Sequence, residues 1–304
     1  MSAFCSLSLW ERVVPRPRDS EPRFRGAFGG VRASLLRAIL VLGSLLLALS
    51  PAKSPAFAGQ SEATVIGYTQ MAHLLVVYSL GSGPTSILII GGQHGWPEEN
   101  TVRLANQLYD YFASNPAAIP ASVRLDFLVE ANPDGLLRGS RQYLSGVDPN
   151  RNWEGPAWAS DAWDSNGAFR RGLGGPEAFS EPETRATRDY VLATQPVLVI
   201  NYHSRGGFLL GGRSGARADL ADAYAAASGY YRPGGTPGGG GGAPSMLGYR
   251  ATGSMNVWLG TVGISGILIE LSDSSGTEYA RNLAGLRAVL SVVAMRQAAD
   301  FRSD

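Results

Sequence analysis

Three short, uninterrupted apolar runs constrain this chain most: Ile87-Leu88-Ile89-Ile90, Val197-Leu198-Val199-Ile200 and Gly266-Ile267-Leu268-Ile269. A strand with one wet face alternates polar and apolar residues, so continuous runs read as strands buried on both faces. Such strands belong to a sheet with helices on each side. Each run is followed closely by a side chain that can do chemistry. His94 lies in GGQHGWPEEN after the first, His203 in VINYHSRGG after the second, and Glu270 directly after the third. Open α/β sheets gather their chemistry at the carboxyl ends of the strands. Two imidazoles and one carboxylate are therefore expected at one sheet edge. Nitrogen and oxygen ligands, an open fourth position and a carboxylate base are what a hydrolytic zinc site requires.

The flanking pattern supports one large α/β domain. Leu74 to Tyr78 and Ser86 to Ile90 read as neighbouring strands split by the turn Gly81-Ser82-Gly83-Pro84. Glu99 to Ala113 reads as a helix, with Leu104, Leu108 and Phe112 on one stripe and Pro116 and Pro120 closing it. Val123 to Val129 is a strand. Ser180-Glu181-Pro182-Glu183 has the form of a capping box and opens a helix through about Leu192. Pro196 to Asn201 is the strand that delivers His203. Ala218 to Ala227 is an alanine-rich helix, and Tyr279 to Ala299 is the last helix, with Leu283, Leu286, Leu290 and Val293 inward. Gly234 to Gly242, low in complexity, reads as a flexible loop. No internal repeat is visible.

The first 58 residues read as a leader with a secretory signal peptide. Arg32 to Ser50 is largely apolar, with arginines upstream, and Ala56-Phe57-Ala58 offers a small-x-small cleavage site before Gly59. The apolar core from Ala38 to Ala48 is short for a membrane span; an uncleaved anchor is the alternative. The segment upstream, with Pro15, Pro17 and Pro22, has no structural pattern and is consistent with a true start nearer Val31. Cleavage would leave residues 59–304 as the working domain. That domain has no cysteine, so neither a disulfide nor a thiol nucleophile is available, and no lysine, so Schiff-base chemistry and a P-loop lysine are excluded. Of 26 basic and 25 acidic residues, 8 and 3 lie in the leader, which leaves 18 and 22 and a mildly acidic domain. That balance argues against nucleic-acid binding.

Eight motifs in order carry a resemblance. They are GGQHG with a following Glu, NPDG at Asn132 to Gly135, GSR at Gly139 to Arg141, and GVDPNRNW at Gly146 to Trp153. FSEPETRA follows at Phe179 to Ala186, then YHS at Tyr202 to Ser204, Y-x-A-T-G at Tyr249 to Gly253, and ILIEL at Ile267 to Leu271. From about Val65 to Ala299 the chain resembles the zinc carboxypeptidase (funnelin) family of metallopeptidases. The resemblance implies a three-layer α/β/α sandwich with a mixed, mostly parallel central sheet. It also implies one zinc ion per chain and hydrolysis by zinc-activated water.

It further implies roles residue by residue. His94 and His203 would be zinc ligands. The family's first motif is His-x-x-Glu; here His94-Gly95-Trp96-Pro97-Glu98 has one residue more. Glu98 is the third ligand on this reading, because a loop can absorb one residue. Glu99 is the second choice, although a helix-opening glutamate has its own reason to be there. Asp148 would accept a hydrogen bond from the first zinc histidine and fix its ring. Asn150 and Arg151 would grip the substrate's terminal carboxylate, Arg141 would hold the oxyanion, and Tyr249 would close over substrate. Glu270 would be the general base. Met255 and Asn256 fall where the family's specificity residues lie.

Taken singly, several of these residues have plainer readings. An Asp, Asn and Arg in one loop can be a turn network, and a glutamate ending a strand is often solvated. His73 has no partner in the scheme and reads as a strand-face residue. Trp153, Trp158 and Trp163 read as packing or cleft wall. Taken in order, the expectation is an exported zinc metallocarboxypeptidase, secreted or in the cell envelope. Its partner would be a peptide or peptide-like substrate with a free carboxylate, without nucleic acid and without stable membrane association once the signal is cleaved. A cell-wall peptide amidase or carboxypeptidase on the same site, and a non-catalytic binding protein of this fold, are the alternatives.

Overall fold

The computed structural model describes residues 61–211, 218–233, 249 and 251–300. The expected leader over 1–58 and the glycine-rich loop at Gly234 to Gly242 lie outside the described residues. Nine strands are named here in chain order: β1 (Glu62–Tyr68), β2 (Leu74–Leu80), β3 (Thr85–Ile90), β4 (Val123–Leu128), β5 (Ala162–Trp163), β6 (Phe169–Arg170), β7 (Leu198–Ser204), β8 (Phe208–Gly211) and β9 (Gly266–Leu271). The helices are α1 (Glu99–Ser114), α2 (Pro133–Arg138), α3 (Pro182–Thr194), α4 (Ala218–Ser228), α5 (Met255–Thr261) and α6 (Tyr279–Asp300).

Seven strands form one mixed sheet in the order β1-β2-β4-β3-β7-β9-β8, and β5 and β6 form a separate ribbon. The centre, β4-β3-β7-β9, is parallel, and the pairings outside it are antiparallel. Ile87, Leu88, Ile89 and Ile90 of β3 are fully buried, each worth about 1.5–3 kcal/mol relative to exposure. Alternate side chains meet different layers. Val77, Leu88, Ile90 and Val199 join Val191 of α3, Met255, Trp258 and Leu259 of α5, and Trp153 and Phe179 from the loops between. On the other face Tyr109 of α1 lies edge-on to Phe127 of β4, ring centroids 5.6 Å apart. Helices on both faces of a mixed sheet make the expected α/β/α sandwich.

Four expectations are corrected. β2 and β3 are not neighbours, because β4 inserts between them, antiparallel to β2 and parallel to β3. The capping box does not form. Glu181 occupies the N-cap position of α3, Ser180 Oγ donates to Glu181 and accepts from Asn152 Nδ2, and Glu183 accepts from the backbone N–H of Gln70 instead. Leu283 is only partly buried, and Leu286, Val289, Leu290 and Val293 form the inward stripe of α6. His73 precedes β2 rather than lying on it, and its Nδ1 is 2.7 Å from the fully buried Asp134.

Candidate metal centre

β3 ends at Ile90, and the next residues must cross the top of the sheet to reach α1. Gly95 lets them pass: a Cβ there would lie 2.2 Å from the carbonyl oxygen of Ser140. The backbone N–H of Trp96 donates to that same carbonyl at 3.1 Å, which fixes the loop against the segment after α2. α2 is itself set by NPDG, where Asn132 caps the N–H of Gly135 at 2.9 Å and Pro133 opens the helix. The Gly95 to Glu98 turn closes with Glu98 N–H on Gly95 O at 2.8 Å and takes up the additional residue of the His-x-x-x-Glu spacing. Glu98 stands at the N-cap of α1 but makes no side-chain cap. Its carboxylate turns to the histidines instead.

His94, Glu98 and His203 bring one ligand atom each within 4.8 Å of one another, and all three side chains are buried. His94 Nδ1 is 2.9 Å from Glu98 Oε1 and 3.1 Å from His203 Nδ1, which is 3.3 Å from Glu98 Oε2. The backbone N–H of Ser204 donates to Glu98 Oε2 at 3.1 Å. His94 Nε2 lies 3.1 Å from Asp148 Oδ1, the contact that holds a ligating imidazole with its proton on the far nitrogen. If each ring carries its proton on Nε2, two nitrogen lone pairs and a carboxylate converge with no proton between them. A cation fits such a donor set, and two nitrogens plus one oxygen leave the fourth tetrahedral position open. His203 Nε2 is buried without a hydrogen-bond partner among the described residues.

His203 and Glu270 are register partners across β7 and β9, so the expected base stands beside the expected ligand. Both lie within their strands, because β7 runs to Ser204, three residues past the Asn201 at which the sequence pattern ends it, and β9 runs to Leu271. Burial lowers the His203 imidazole to about 4, leaving it neutral and able to donate its lone pair at neutral pH. Burial would lower His94 too, as would Arg141, but the Glu98 and Asp148 carboxylates outweigh them and raise it. Burial would raise Glu98; the charges of His94 and Arg141 overcome it and hold the carboxyl well below the usual range. Burial and then the charge of Glu98 push Glu270 up to about 8.

Residues 69–280 match the sequence profile of the zinc carboxypeptidase family. The chain belongs to that family. The family's metal is zinc, and the His94, Glu98 and His203 grouping fits it. Over 122 residues the chain is 31% identical to murein peptide amidase A of Escherichia coli (strain K12), covering 38% of this chain and 48% of that protein. Over 156 residues it is 35% identical to zinc carboxypeptidase A 1 of Anopheles gambiae, covering 44% of this chain and 35% of that one. The chain thus spans half or less of these curated relatives. The crystal structure of murein-tripeptide amidase MpaA from Escherichia coli O157 superposes with a TM-score of 0.57 at 21% identity, covering 78% of this chain and 94% of that one. At that identity the likeness speaks for the fold.

The remaining predicted site residues surround the trio. The Arg141 guanidinium pairs with Glu98 Oε1, donates to Asp148 Oδ2 at 3.2 Å and lies 2.9 Å from His94 Nε2. Asp148 also accepts from the N–H of Asn150 at 2.8 Å. Asn150 Oδ1 accepts from the N–H of Met255 at 3.0 Å, which ties the GVDPNRNW loop to α5. Arg151 is 2% exposed, with Nε on Trp163 O at 3.0 Å, Nη1 on Asn150 O at 2.8 Å and Nη2 on the Tyr249 hydroxyl at 3.3 Å. Glu99 opens α1 outside the trio. Met255 is buried in the core, and Asn256 Oδ1 is a buried oxygen without a hydrogen-bond partner among the described residues. Trp153 is core, whereas Trp163 is 39% exposed on the β5–β6 ribbon. Sequence reasoning missed Asn100, Ser204, Gln93 and Asn201. The last two are joined by Asn201 Nδ2 donating to Gln93 Oε1 at 2.6 Å, and Gln93 Nε2 continues to Pro149 O at 3.2 Å.

Proposed function

We propose that the protein is an exported zinc metallocarboxypeptidase that hydrolyses the C-terminal amide bond of a peptide or peptide-like substrate bearing a free carboxylate. One observation carries the reading: Glu270 stands in register beside His203, with Arg141 against the same His94, Glu98 and His203 trio. Zinc held by those three residues supplies a Lewis acid for the scissile carbonyl. Glu270 takes a proton from the attacking water and returns it to the leaving amine. That role needs the carboxylate. Burial and Glu98 oppose its ionisation while Arg141 and His94 favour it, and positive charge brought into the trio works in the same direction as those two. Arg141, oriented by Glu98 and Asp148, is the donor for the oxyanion. Arg151 has its plane held by Trp163 O and Asn150 O, so its Nη2 contact with Tyr249 is the one a substrate carboxylate would replace. Export rests on the leader pattern that ends at Ala58.

Product analysis on a matched peptide pair, free acid and C-terminal amide, tests the reading. The free acid should lose its last residue and the amide should be a far poorer substrate, because Arg151 would lack its anion. Equal cleavage of both would move the specificity elsewhere in the cleft. A second reading, an amidase or carboxypeptidase of cell-wall stem peptides, is favoured by the 31% identity to murein peptide amidase A. Muropeptides in the same assay decide between the two. A zinc-loaded protein that turns over neither class would be a binding protein of this fold.

A further inference from the structure

We propose that Asn100 is a positioning residue for the metal centre, its one side chain tying together the segments that carry Glu98, His203 and Glu270. The proposal rests on the reading of those residues as ligands and base. Asn100 is the second residue of α1 and is fully buried. Its Nδ2 donates to Asp273 O at 2.8 Å and to Gly276 O at 2.9 Å, and its Oδ1 accepts from Ser204 Oγ at 3.0 Å. The orientation of the amide is decided by its partners. Two carbonyls can only accept, so they face the NH2 group, and the hydroxyl that can donate faces the oxygen.

Each partner leads to the site. Ser204 follows His203 in β7, and its backbone N–H is the donor on Glu98 Oε2 at 3.1 Å. Asp273 lies three residues past Glu270, in a turn that has hydrogen bonds of its own besides those to Asn100. Asp273 Oδ1 accepts from Ser275 N, Ser275 Oγ and Gly276 N, each at 2.7 Å. Glu278 anchors the start of the same turn, taking Ser272 N at 2.9 Å and Ser272 Oγ at 2.8 Å. The turn therefore behaves as one block at the end of β9, and Asn100 is its buried side-chain link to α1. Arg103, on the same helix, also reaches the turn, at Ser275 O and 2.6 Å, but at the exposed rim. No catalytic role follows for Asn100, whose side-chain hydrogen bonds among the described residues go to Asp273, Gly276 and Ser204 and not to His94, Glu98, His203 or Glu270. Its removal would leave two carbonyls without their amide donor and loosen the ligand-bearing start of α1 against both strand ends, leaving the Ser204 N–H bond to Glu98 and the rim contact of Arg103.

The test uses the full-length protein. Zinc affinity is measured by competition with a chromophoric chelator for wild type, Asn100→Ala, Ser204→Ala and Arg103→Ala, alongside kcat and KM. Asn100→Ala should weaken zinc by about tenfold or more, the scale on which partners behind a ligand act. Its zinc-saturated kcat should fall by about tenfold with KM within about threefold, because geometry rather than binding is lost. Arg103→Ala, which cuts a bond between the same helix and turn, should stay within about twofold on both counts. A purely structural role would lower the melting temperature of Asn100→Ala yet leave zinc affinity and kcat at wild-type values, and that result overturns the proposal. If Asn100→Ala does not fold, Ser204→Ala gives the answer, with zinc weakened about threefold expected and wild-type affinity overturning. A wild type that binds zinc and hydrolyses nothing would refute the proposed function while the zinc comparison still judges Asn100.

Discussion

Glu98 is 2% exposed between two imidazoles, while Glu99, its neighbour in sequence, begins α1 outside the trio. Glu98→Ala should therefore strip most of the zinc and Glu99→Ala almost none, read by metal analysis of the dialysed proteins. Loss of metal only in Glu99→Ala would mean that the ligand register is off by one. Glu270→Gln keeps the shape of the side chain but cannot take a proton. Zinc content should stay near one per chain while turnover falls by about a hundredfold or more. Near-normal turnover in the zinc-loaded variant would remove Glu270 from the mechanism. His94 and His203 were legible because chemistry needs scarce residue types, and histidine occurs only three times here; Glu270 was legible by its place directly after an apolar run. Asn100 and Ser204 were not. Their types are common, and the carbonyls that Asn100 holds come from residues 173 and 176 positions away, which no local pattern announces.

Periodicity located β3, β4, β7, α1, α4 and α6, because buried faces impose it on the sequence. It passed over β1, whose residues are mostly exposed on an edge, and β8, four residues long. It also could not place β4 between β2 and β3, since pairing order is decided by crossovers rather than by the strands themselves. The strand β4 carries a polar device that reads poorly as a core strand: fully buried Asp126 takes Ser79 Oγ at 2.6 Å and Ser86 Oγ at 2.5 Å from both neighbouring strands. The unformed capping box shows the same override. Glu183, in the first turn of α3, is buried, and burial is the largest influence pushing it up to about 6; its own and Gln70's backbone N–H pull it down, and Asp134 and Glu181 add to the rise. A raised carboxyl favours the protonated fold. Its contribution to stability is complete below about pH 4.5 and is lost as pH rises through about 6, a cost of ~2 kcal/mol. Glu183→Gln should flatten that part of the stability profile. Urea midpoints at pH 4.5 and 7 would show it, and an unchanged profile would mean that the carboxylate finds other compensation.

For the molecule as a whole, the site is also a fastening. His94 and His203 are 109 residues apart in sequence, and with Glu98 they join the loop after β3, the start of α1 and the end of β7. Covalent fastening is excluded, because Cys5 is the only cysteine in the chain. A ligand that binds the folded chain and not the unfolded one stabilises it by mass action. At free zinc of about one hundred times the dissociation constant the gain is about 2.7 kcal/mol. For a domain of this size that corresponds to a rise in melting temperature of roughly 5–10 °C. Zinc titration should therefore raise the melting temperature with a break at one equivalent per chain, and a chelator should reverse it. Glu98→Ala should melt at the same temperature with zinc or chelator, because the two histidines left behind no longer make a three-point site. Asn100→Ala should reach the same rise only at higher free zinc, since the ligands remain while their mutual placement loosens. Indistinguishable melting of the wild type in zinc and in chelator would show that these three elements are held by packing alone, and would leave the metal centre without a part in the stability of the fold.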